Sequence, residues 1–394
     1  MKKIAILLPA LLPVPAVRGG AVESIIENLV NENERNPIFR FTVYSAWDFE
    51  AVKKSQYYQY TDFVYIKTNE KIEKIHNYLY RVLKKLFKIS ITDRIVRKKL
   101  VKEIAKQNYD WILYEAGEVF CLKRFSKYLP SKKVLVHAHG MITPIPEIDS
   151  YFSYYLPISE FVADYWKSKS KRPLDTYLTW KNCIKIENFN RTLKKDEQYI
   201  LRQKLGLDES DFVAIFIGRI IPEKGVLELI KSLNYISDNT VKIIVIGSAK
   251  FADCSATPYE KLVVEEVKKT AARVIFTGYV KNDELYKYYS VADIAVVPST
   301  CEEAAGLVVV EAMAAGKPII TTGTGGIKEY TASESTYFVK NDERLERSLA
   351  LEILRQRNER GNITSMGIVA QEKAKEFNMS NYLKRFEDII KQIS

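Results

Sequence analysis

The stretch from Val297 to Gly316 reads VPSTCEEAAGLVVVEAMAAG, and the rest of the chain is interpreted around it. It begins at the end of a largely apolar run, 292–297. Such a run is typical of a buried strand, and Pro298 ends it. Residues 307–315 read as a short helix that Gly316 stops. The residues in between therefore form a strand-to-helix loop. In open α/β sheets, ligands bind beside such loops, at the carboxyl ends of the strands.

Two carboxylates frame this loop: Glu303 lies in it and Glu311 lies in the helix, with seven residues between them. Gly306 opens the helix, so the backbone N–H groups of Ala305, Gly306 and Leu307 are free to hold an anion. This arrangement suits a ligand with hydroxyls on both sides of a phosphate group, as in a nucleotide-sugar. The alternative is that Glu311 only pairs with a nearby Lys, because a charge in an apolar helix is costly unless it is paired or bound.

The composition indicates a folded protein of about two domains, since the chain has 394 residues and a hydrophobic fraction of 47%. The net charge of +11 is compatible with nucleic acid, an anionic membrane surface or phosphorylated substrates as partners. Four Cys without close pairing favour a reducing compartment and argue against a disulfide framework. The N-terminus imitates a signal peptide, but its prolines favour a first buried strand, and no apolar stretch is long enough to span a membrane.

The N-terminal half alternates strands with helices, which predicts a parallel sheet. After the first strand, Gly19 and Gly20 allow either a plain tight turn or close approach of the backbone to a ligand. Ser159 is a candidate helix cap. The predicted strands are 3–8, 40–45, 63–66, 111–115, 133–137 and 155–158.

His137 and His139 follow a strand at i and i+2, so both point the same way and could suit a metal. No third ligand is near them in the sequence, and no Asp-x-Asp occurs, so we expect no metal site. His139 is preferred as a ligand-facing residue because it lies nearer the strand end. His137 is equally compatible with a buried core position.

The segment from Lys71 to Lys106 is strongly basic, with twelve Lys and Arg against three acidic residues. Apolar residues recur in it at helical spacing. It is interpreted either as surface helices with solvated Lys or as a basic amphipathic patch on an anionic membrane leaflet. Nucleic acid is disfavoured as a partner, because no recognised binding motif accompanies the charge.

The C-terminal half opens with a strand over 211–218, and Gly218 and Arg219 stand at its carboxyl end. Lys224 follows five residues later, where the next helix begins. Two cations across such a turn can clamp a diphosphate, Arg bidentately and Lys as a point charge. The alternative is an ordinary surface loop. Further strands are predicted over 241–247, 273–280 and 318–322, with a glycine-rich loop at 323–326.

These motifs together resemble the signature of retaining GT-B glycosyltransferases. The resemblance is to the large Glu-x7-Glu family, glycosyltransferase family 4-like, which includes sucrose synthase-like and lipopolysaccharide or capsule sugar transferases. It implies an α/β fold of two Rossmann-like, doubly wound domains facing a cleft. We expect an N-terminal domain at 1–190, a nucleotide-sugar domain at 191–376 and a helix at 377–394 that returns to the first domain. The chain departs from the family at Ala304-Ala305, where Gly-Phe is frequent.

The resemblance also implies roles for the candidate residues. The expected catalytic residues are His139, Glu303, Arg219 and Lys224. Glu303 would face the donor hexose, Glu311 would bind the ribose, and Arg219 and Lys224 would hold the diphosphate with the amides of Ala305, Gly306 and Leu307. Gly19, Gly20 and Gly218 would border the donor, and backbone atoms of Tyr279 and Val280 would read the nucleobase.

The expected activity is metal-independent transfer of a hexose, with retention, from a nucleoside-diphosphate sugar, UDP first, and no cofactor is expected. A glycan acceptor linked to polyprenyl diphosphate would fit surface polysaccharide or capsule synthesis at the cytoplasmic membrane face. The alternatives are a soluble transferase or sugar-phosphate synthase with a small acceptor, and a non-catalytic basic scaffold that binds membrane or nucleic acid. An NAD-type oxidoreductase is disfavoured, since no Gly-x-Gly-x-x-Gly follows a strand.

Overall fold

The structure of the chain, a computed structural model, describes residues 1–8, 12–67, 95–115, 119, 121–142, 145–248, 257–270 and 273–394. The predicted basic segment, 71–106, lies outside these residues as far as residue 94. Its remainder contains the helix Ile95–Ile104, in which Leu100 and Val101 are buried. The end of the basic segment is therefore packed against the protein through its apolar positions.

The described chain forms two compact units, one of 1–182 with 379–394 and one of 183–378. The sequence prediction places the borders at 190 and 376, so the second unit begins earlier and ends later than expected. The Ile184 N–H donates a hydrogen bond to the Phe377 carbonyl at 3.0 Å. This bond joins the two connecting segments to each other inside the second unit.

The first unit contains a sheet of six strands: β1 (Lys2–Leu7), β2 (Phe39–Ala46), β3 (Thr61–Ile66), β4 (Trp111–Glu115), β5 (Val134–Ala138) and β6 (Tyr154–Pro157). All pairs are parallel, in the order β3–β2–β1–β4–β5–β6. The last four residues of β1 are fully buried, as expected of a central strand covered on both faces. The order reverses between β1 and β4, and ligands bind outside the carboxyl ends of strands at such a reversal.

Helices alternate with these strands: α1 (Ala21–Arg35), α2 (Phe49–Ser55), α3 (Ile95–Ile104), α4 (Cys121–Phe125) and α5 (Glu160–Lys167). Helix α5 starts as predicted at Ser159, whose hydroxyl accepts a hydrogen bond from the Val162 N–H at 3.2 Å. Helix α2 is capped in the same way by Asp48, which accepts from the N–H groups of Glu50 and Ala51. Short polar side chains thus fix where these helices begin.

The second unit repeats the plan with β7 (Phe212–Ile217), β8 (Val241–Ile246), β9 (Val274–Gly278), β10 (Ile294–Val297), β11 (Ile319–Thr321) and β12 (Thr336–Phe338). These strands are also parallel, in the order β12–β11–β10–β7–β8–β9. The order reverses between β7 and β10. The loops that leave these two strands are the ones that carry the motifs at 218–225 and 298–306, and the predicted α/β class is confirmed.

The helices of the second unit are α6 (Lys195–Lys204), α7 (Val226–Ser232), α8 (Pro258–Lys269), α9 (Leu285–Val291), α10 (Leu307–Ala314), α11 (Leu345–Asn358) and α12 (Ile363–Ala374). Leu229 and Ile230 of α7 and Leu349 and Ile353 of α11 are fully buried in one apolar core with the inner residues of β7 and β8. Within the described ranges, no helix combines the length and the apolar character that crossing a membrane requires.

The last helix, α13 (Met379–Gln392), belongs to the first unit and is amphipathic. The Trp180 indole stacks on Tyr382 (centroids 4.3 Å apart) and on Phe386 (4.5 Å), and all three rings are buried. The Trp180 Nε1–H also donates to the Tyr382 carbonyl at 3.1 Å. Aromatic pairs of this kind contribute about 0.5–1.5 kcal/mol each beyond the area they bury, so Trp180 anchors the returning helix.

Candidate functional site

The loop between β10 and α10 is held at both ends by buried apolar residues. All four residues of β10 are buried, and so are Val309, Val310, Ala312, Met313 and Ala314 of α10. Gly306 caps α10 with a φ of 74°, and a Cβ there would lie 2.8 Å from Cγ1 of Ile327. Glycine is therefore required at this position for two reasons, its left-handed backbone and the lack of space.

Glu303 in this loop forms an ion pair with Lys224 from the loop after β7, and the Lys224 Nζ donates to its Oε1. The Ser299 hydroxyl donates to the same oxygen at 2.7 Å. The Glu303 and Lys224 side chains are 14% and 25% exposed, so the pair is largely screened from water. Glu303, which was predicted to face the hexose, and Lys224, which was predicted to hold the diphosphate, thus lie in direct contact. Ser299 is a further residue at this place that the sequence did not predict.

A second glycine-rich loop packs against the Glu303 backbone. The Gly326 N–H donates to the Glu303 carbonyl at 2.7 Å, and a Cβ on Gly325 would lie 2.2 Å from that carbonyl oxygen. The predicted flexible loop at 323–326 is therefore a close backbone-to-backbone support for Glu303. It leads into a 3-10 helix, Gly325–Tyr330, in which Tyr330 is fully buried.

Arg219 stands where predicted, directly after Gly218 at the carboxyl end of β7, and its side chain is exposed. It makes no ion pair with a described residue. The neighbouring Gly247 after β8 has a φ of 136°, and a Cβ there would lie 1.9 Å from the Gly218 carbonyl oxygen. The two loops thus meet backbone to backbone at Gly218, next to Arg219, whose exposed side chain is accessible to an anion.

Glu311 on α10 accepts a hydrogen bond from the Asn282 side-chain amide, across 3.5 Å, and Asn282 in turn accepts one from Asn188 across 3.4 Å. Burial raises the pKa of Glu311 to about 7, although the Asn282 hydrogen bond acts in the opposite direction. Its partner is thus an amide, and no ion pair between Glu311 and a described Lys is found. Asn282 was not singled out from the sequence, because nothing local distinguishes it from other loop Asn residues.

Tyr279 and Val280, the predicted nucleobase contacts, follow β9, and the Tyr279 side chain is 45% exposed. The Gly278 carbonyl before them accepts a hydrogen bond from the Gly247 N–H at 2.9 Å. Since Asn282 lies two residues after Val280, its bond to Glu311 holds this loop beside α10. Ala305 and Leu307 flank Gly306 at the start of α10, and Ala305 is buried. The predicted donor residues of the second unit therefore lie on three loops, those that follow β7, β9 and β10, and on helix α10.

In the first unit, Gly19 and Gly20 both have positive φ, 75° and 105°. A Cβ on Gly20 would lie 2.1 Å from Oε2 of Glu23, which is itself buried. The open space at Gly20 is thus filled by a carboxylate of this chain. Burial raises the pKa of Glu23.

His137 and His139 both contact a third residue, Glu115 at the end of β4. The His137 Nδ1 lies 3.0 Å and the His139 Nε2 lies 2.6 Å from the same carboxylate oxygen, Oε2. Burial acts to raise the pKa of Glu115, but the two imidazoles outweigh it and lower the value to about 2. Burial lowers the pKa of His137, which Glu115 partly offsets. No third candidate ligand is near the two His in the sequence, but the structure brings one, Glu115 from the adjacent strand, into contact with both.

Comparisons with known proteins give the class of the fold. The Anabaena protein HepE, solved in complex with UDP-glucose, superposes with a TM-score of 0.72 at 18% identity, covering 100% of both chains. The chain therefore has the two-domain α/β fold of GT-B glycosyltransferases. At this level of identity the likeness concerns the fold.

Within that class, residues 197–366 match the family model described as "Glycosyl transferases group 1". The chain is 25% identical over 261 residues to a lipopolysaccharide 1,2-N-acetylglucosaminetransferase of Salmonella typhimurium, covering 65% of each protein. It is 31% identical over 154 residues to an uncharacterized glycosyltransferase of Methanocaldococcus jannaschii, covering 39% of this chain and 38% of that protein. The chain thus spans less than two thirds of the length of these relatives. The matched segment contains all the donor-site candidates of the second unit.

Proposed function

We propose that this chain is a glycosyltransferase that moves a hexose from a UDP-sugar to a glycan acceptor. The observation that carries the proposal is the Lys224–Glu303 ion pair beside the start of α10, with Ser299 on the same carboxylate oxygen. It combines, at one place, a cation for phosphate, a carboxylate for sugar hydroxyls and a helix N-terminus for anionic charge. The matches to glycosyltransferases and the likeness to a protein solved with UDP-glucose support it.

In the proposed complex, the second unit holds the donor. Glu311, oriented by Asn282, accepts hydrogen bonds from the ribose hydroxyls, and backbone atoms of Tyr279 and Val280 contact the base. Arg219, Lys224 and the amides at the start of α10 contact the diphosphate. They stabilise the negative charge that develops when the diphosphate leaves, which is electrostatic catalysis that needs no metal ion at the leaving group.

Glu303 is the proposed partner of the hexose hydroxyls, and Ser299 and Lys224 fix its carboxylate. We place His139 as a further hexose contact, with Gly19 and Gly20 near the donor, as the family resemblance implies. Retention would follow from attack on the same face. The acceptor oxygen bonds to C1 as the bond from C1 to the diphosphate breaks, and the acceptor proton passes to the leaving phosphate oxygen.

For the acceptor, we propose a glycan on polyprenyl diphosphate at the cytoplasmic face of the membrane, in surface polysaccharide or capsule synthesis. The support is the composition of 71–106, with twelve basic residues against three acidic ones. Binding to liposomes that contain anionic lipid, at low salt, tests this part. Equal sedimentation with neutral liposomes, or none with either, would favour the small-acceptor alternative.

The donor assignment is tested with a thermal-shift panel of UDP, GDP, ADP, CMP and NAD, with and without Mg²⁺, on the wild type and Glu311→Ala. We expect one diphosphate to raise the unfolding temperature without Mg²⁺ and to lose this effect in the variant. Ligand at 100 times its Kd adds about 2.7 kcal/mol to stability, a readily measured shift. An equal shift in the variant, or none with any diphosphate, would reject the donor site and favour the non-catalytic scaffold.

A further inference from the structure

We propose that Glu115, His137 and His139 form a binding site for a divalent transition-metal ion, Zn²⁺ in the first place. One ligand atom from each residue lies within 4.8 Å of the others. All three residues belong to the first unit. A metal ion there goes beyond the proposed transfer reaction, in which His139 alone of the three has a role, as a hexose contact. Metal binding is tested separately from that reaction.

The backbone of the sheet brings the three side chains together. Strands β4 and β5 are adjacent and parallel, and their register pairs Glu115 directly with His137. His139 stands two residues further along the chain, so its side chain points to the same side as that of His137. Their rings are 4.1 Å apart and tilted by 57°, which directs one nitrogen of each ring at the same carboxylate. Glu115 and His137 lie on neighbouring strands and His139 directly follows the end of β5. Residues on strands are positioned more accurately than residues on loops.

The distances are close to those of a zinc site. With metal–ligand bonds of about 2.0–2.1 Å, the ligand atoms of a tetrahedral site lie about 3.3 Å apart. Here the two nitrogens lie 3.0 Å and 2.6 Å from Oε2 of Glu115. An ion therefore requires each nitrogen to move away from Oε2 by less than about 1 Å, and the ligand atoms of the group already lie within 4.8 Å of one another.

Burial and charge also favour a cation. Among the described residues, Glu115 and His137 are fully buried and the His139 side chain is 11% exposed, so His139 is the most accessible member of the group. The buried Glu23 is a second carboxylate close enough to Glu115 and His139 to interact with them electrostatically. A buried carboxylate is costly without compensating charge. A divalent ion would neutralise this charge and leave a fourth coordination position on the side of His139.

The ligand set indicates which metal to expect. Two imidazoles and one carboxylate, with an open fourth position, are a ligand set of catalytic Zn²⁺ sites. Mg²⁺ and Ca²⁺ prefer oxygen ligands and would bind poorly to two nitrogens. The competing explanation is a metal-free group in which both imidazoles donate hydrogen bonds to Glu115, and the experiment separates the two.

The test uses the full chain without a histidine tag, freed of metal with EDTA and then dialysed. We expect Co²⁺ to bind at one equivalent per chain, with the visible absorption of a nitrogen and oxygen site, and Zn²⁺ but not Mg²⁺ to displace it. Glu115→Gln and His139→Gln should each weaken Co²⁺ binding more than 10-fold. Cys301→Ser and Glu103→Gln are the controls for a thiolate site and for a surface carboxylate, and should bind as the wild type does.

Since changes at the buried Glu115 can disturb folding, a second measurement is anomalous scattering at the zinc edge from crystals grown with Zn²⁺. A peak between the three side chains supports the site. Absence of Co²⁺ binding, binding that survives both Glu115→Gln and His139→Gln, or a zinc peak only elsewhere would overturn the proposal and leave the metal-free hydrogen-bonded group.

Discussion

The Asn282 amide and the Glu311 carboxylate are joined by a 3.5 Å hydrogen bond that connects the loop after β9 to helix α10. The bond gives a carboxyl group in an apolar helix a neutral partner. Burial raises the pKa of this group to about 7, although the hydrogen bond from Asn282 lowers it. A neutral donor orients the carboxylate without neutralising it. Glu311 therefore remains able to bind hydroxyl groups, at a cost to the stability of the fold.

That cost predicts a pH-dependent gain in stability for Glu311→Gln. Because the folded pKa of about 7 is above the ordinary value of 4.5, the folded state binds more protons than the unfolded state between these pH values, and stability falls as pH rises through that window. The variant should be more stable than the wild type by up to about 3 kcal/mol at pH 8 and gain little at pH 5. Urea midpoints at both pH values measure this. A gain equal to that of the exposed Glu302→Gln would contradict it.

The same ionisation should control donor affinity. If ionised Glu311 accepts hydrogen bonds from ribose, a pKa near 7 predicts that UDP-glucose binds roughly 10-fold more tightly at pH 8 than at pH 6. Calorimetric titration at the two pH values measures the ratio. Glu311→Gln should bind weakly at both. A pH dependence that persists in this variant would assign the titrating group elsewhere.

The Lys224–Glu303 ion pair should couple the two residues in donor binding. Charge-assisted hydrogen bonds contribute about 1.5–3 kcal/mol, so Lys224→Gln should weaken UDP-glucose binding by more than about 10-fold. Glu303→Gln should weaken it as well, and the double variant should lose less than the sum of the two changes. Calorimetric Kd values for the wild type, the two single variants and the double variant complete a double-mutant cycle. The neighbouring Glu302→Gln is the control. Strict additivity would show that the pair does not act as a unit.

Gly306→Ala tests the start of α10 and has a matched control in Gly206→Ala. Both glycines have left-handed φ, 74° and 68°, so both changes should cost about 1–2 kcal/mol in backbone strain. Only at Gly306 does the new Cβ meet a neighbour, Ile327 at 2.8 Å, whereas nothing lies within 4 Å at Gly206. We expect a larger loss in unfolding midpoint for Gly306→Ala, together with weaker UDP-glucose binding. Equal losses would mean that Ile327 moves away freely.

Trp180→Ala should detach the last helix from the first unit. Removing a buried Trp costs about 3–5 kcal/mol, and here it removes the stacking on Tyr382 and Phe386. Hydrogen exchange should show faster exchange along α13. Trp47→Ala, at a 41% exposed Trp, is the control and should leave α13 protected. Unchanged protection of α13 in Trp180→Ala would show that the remaining contacts hold the helix.

The sequence by itself determined the class of fold and provided most of the candidate donor residues in the second unit. Apolar runs that end at Pro or Gly predict strands and helices directly, because the spacing of apolar residues depends only on neighbouring positions in the chain. The loops at Gly218–Lys224 and at Ser299–Gly306 follow from the same patterns, since a loop after a parallel strand lies at the carboxyl end of the sheet. The helix cap at Ser159 was also predicted from neighbouring residues alone, and the structure confirms it.

Only the tertiary structure decided which side chains meet. Lys224 and Glu303 are 79 residues apart in the chain, Asn282 and Glu311 are 29 apart, and Glu115 and His137 are 22 apart. Each contact depends on strand order and register, which bring distant loops to one edge of a sheet. Glu115 looked like an ordinary strand end in the sequence. It becomes the partner of two imidazoles because β4 and β5 are neighbours, and no local pattern encodes that pairing.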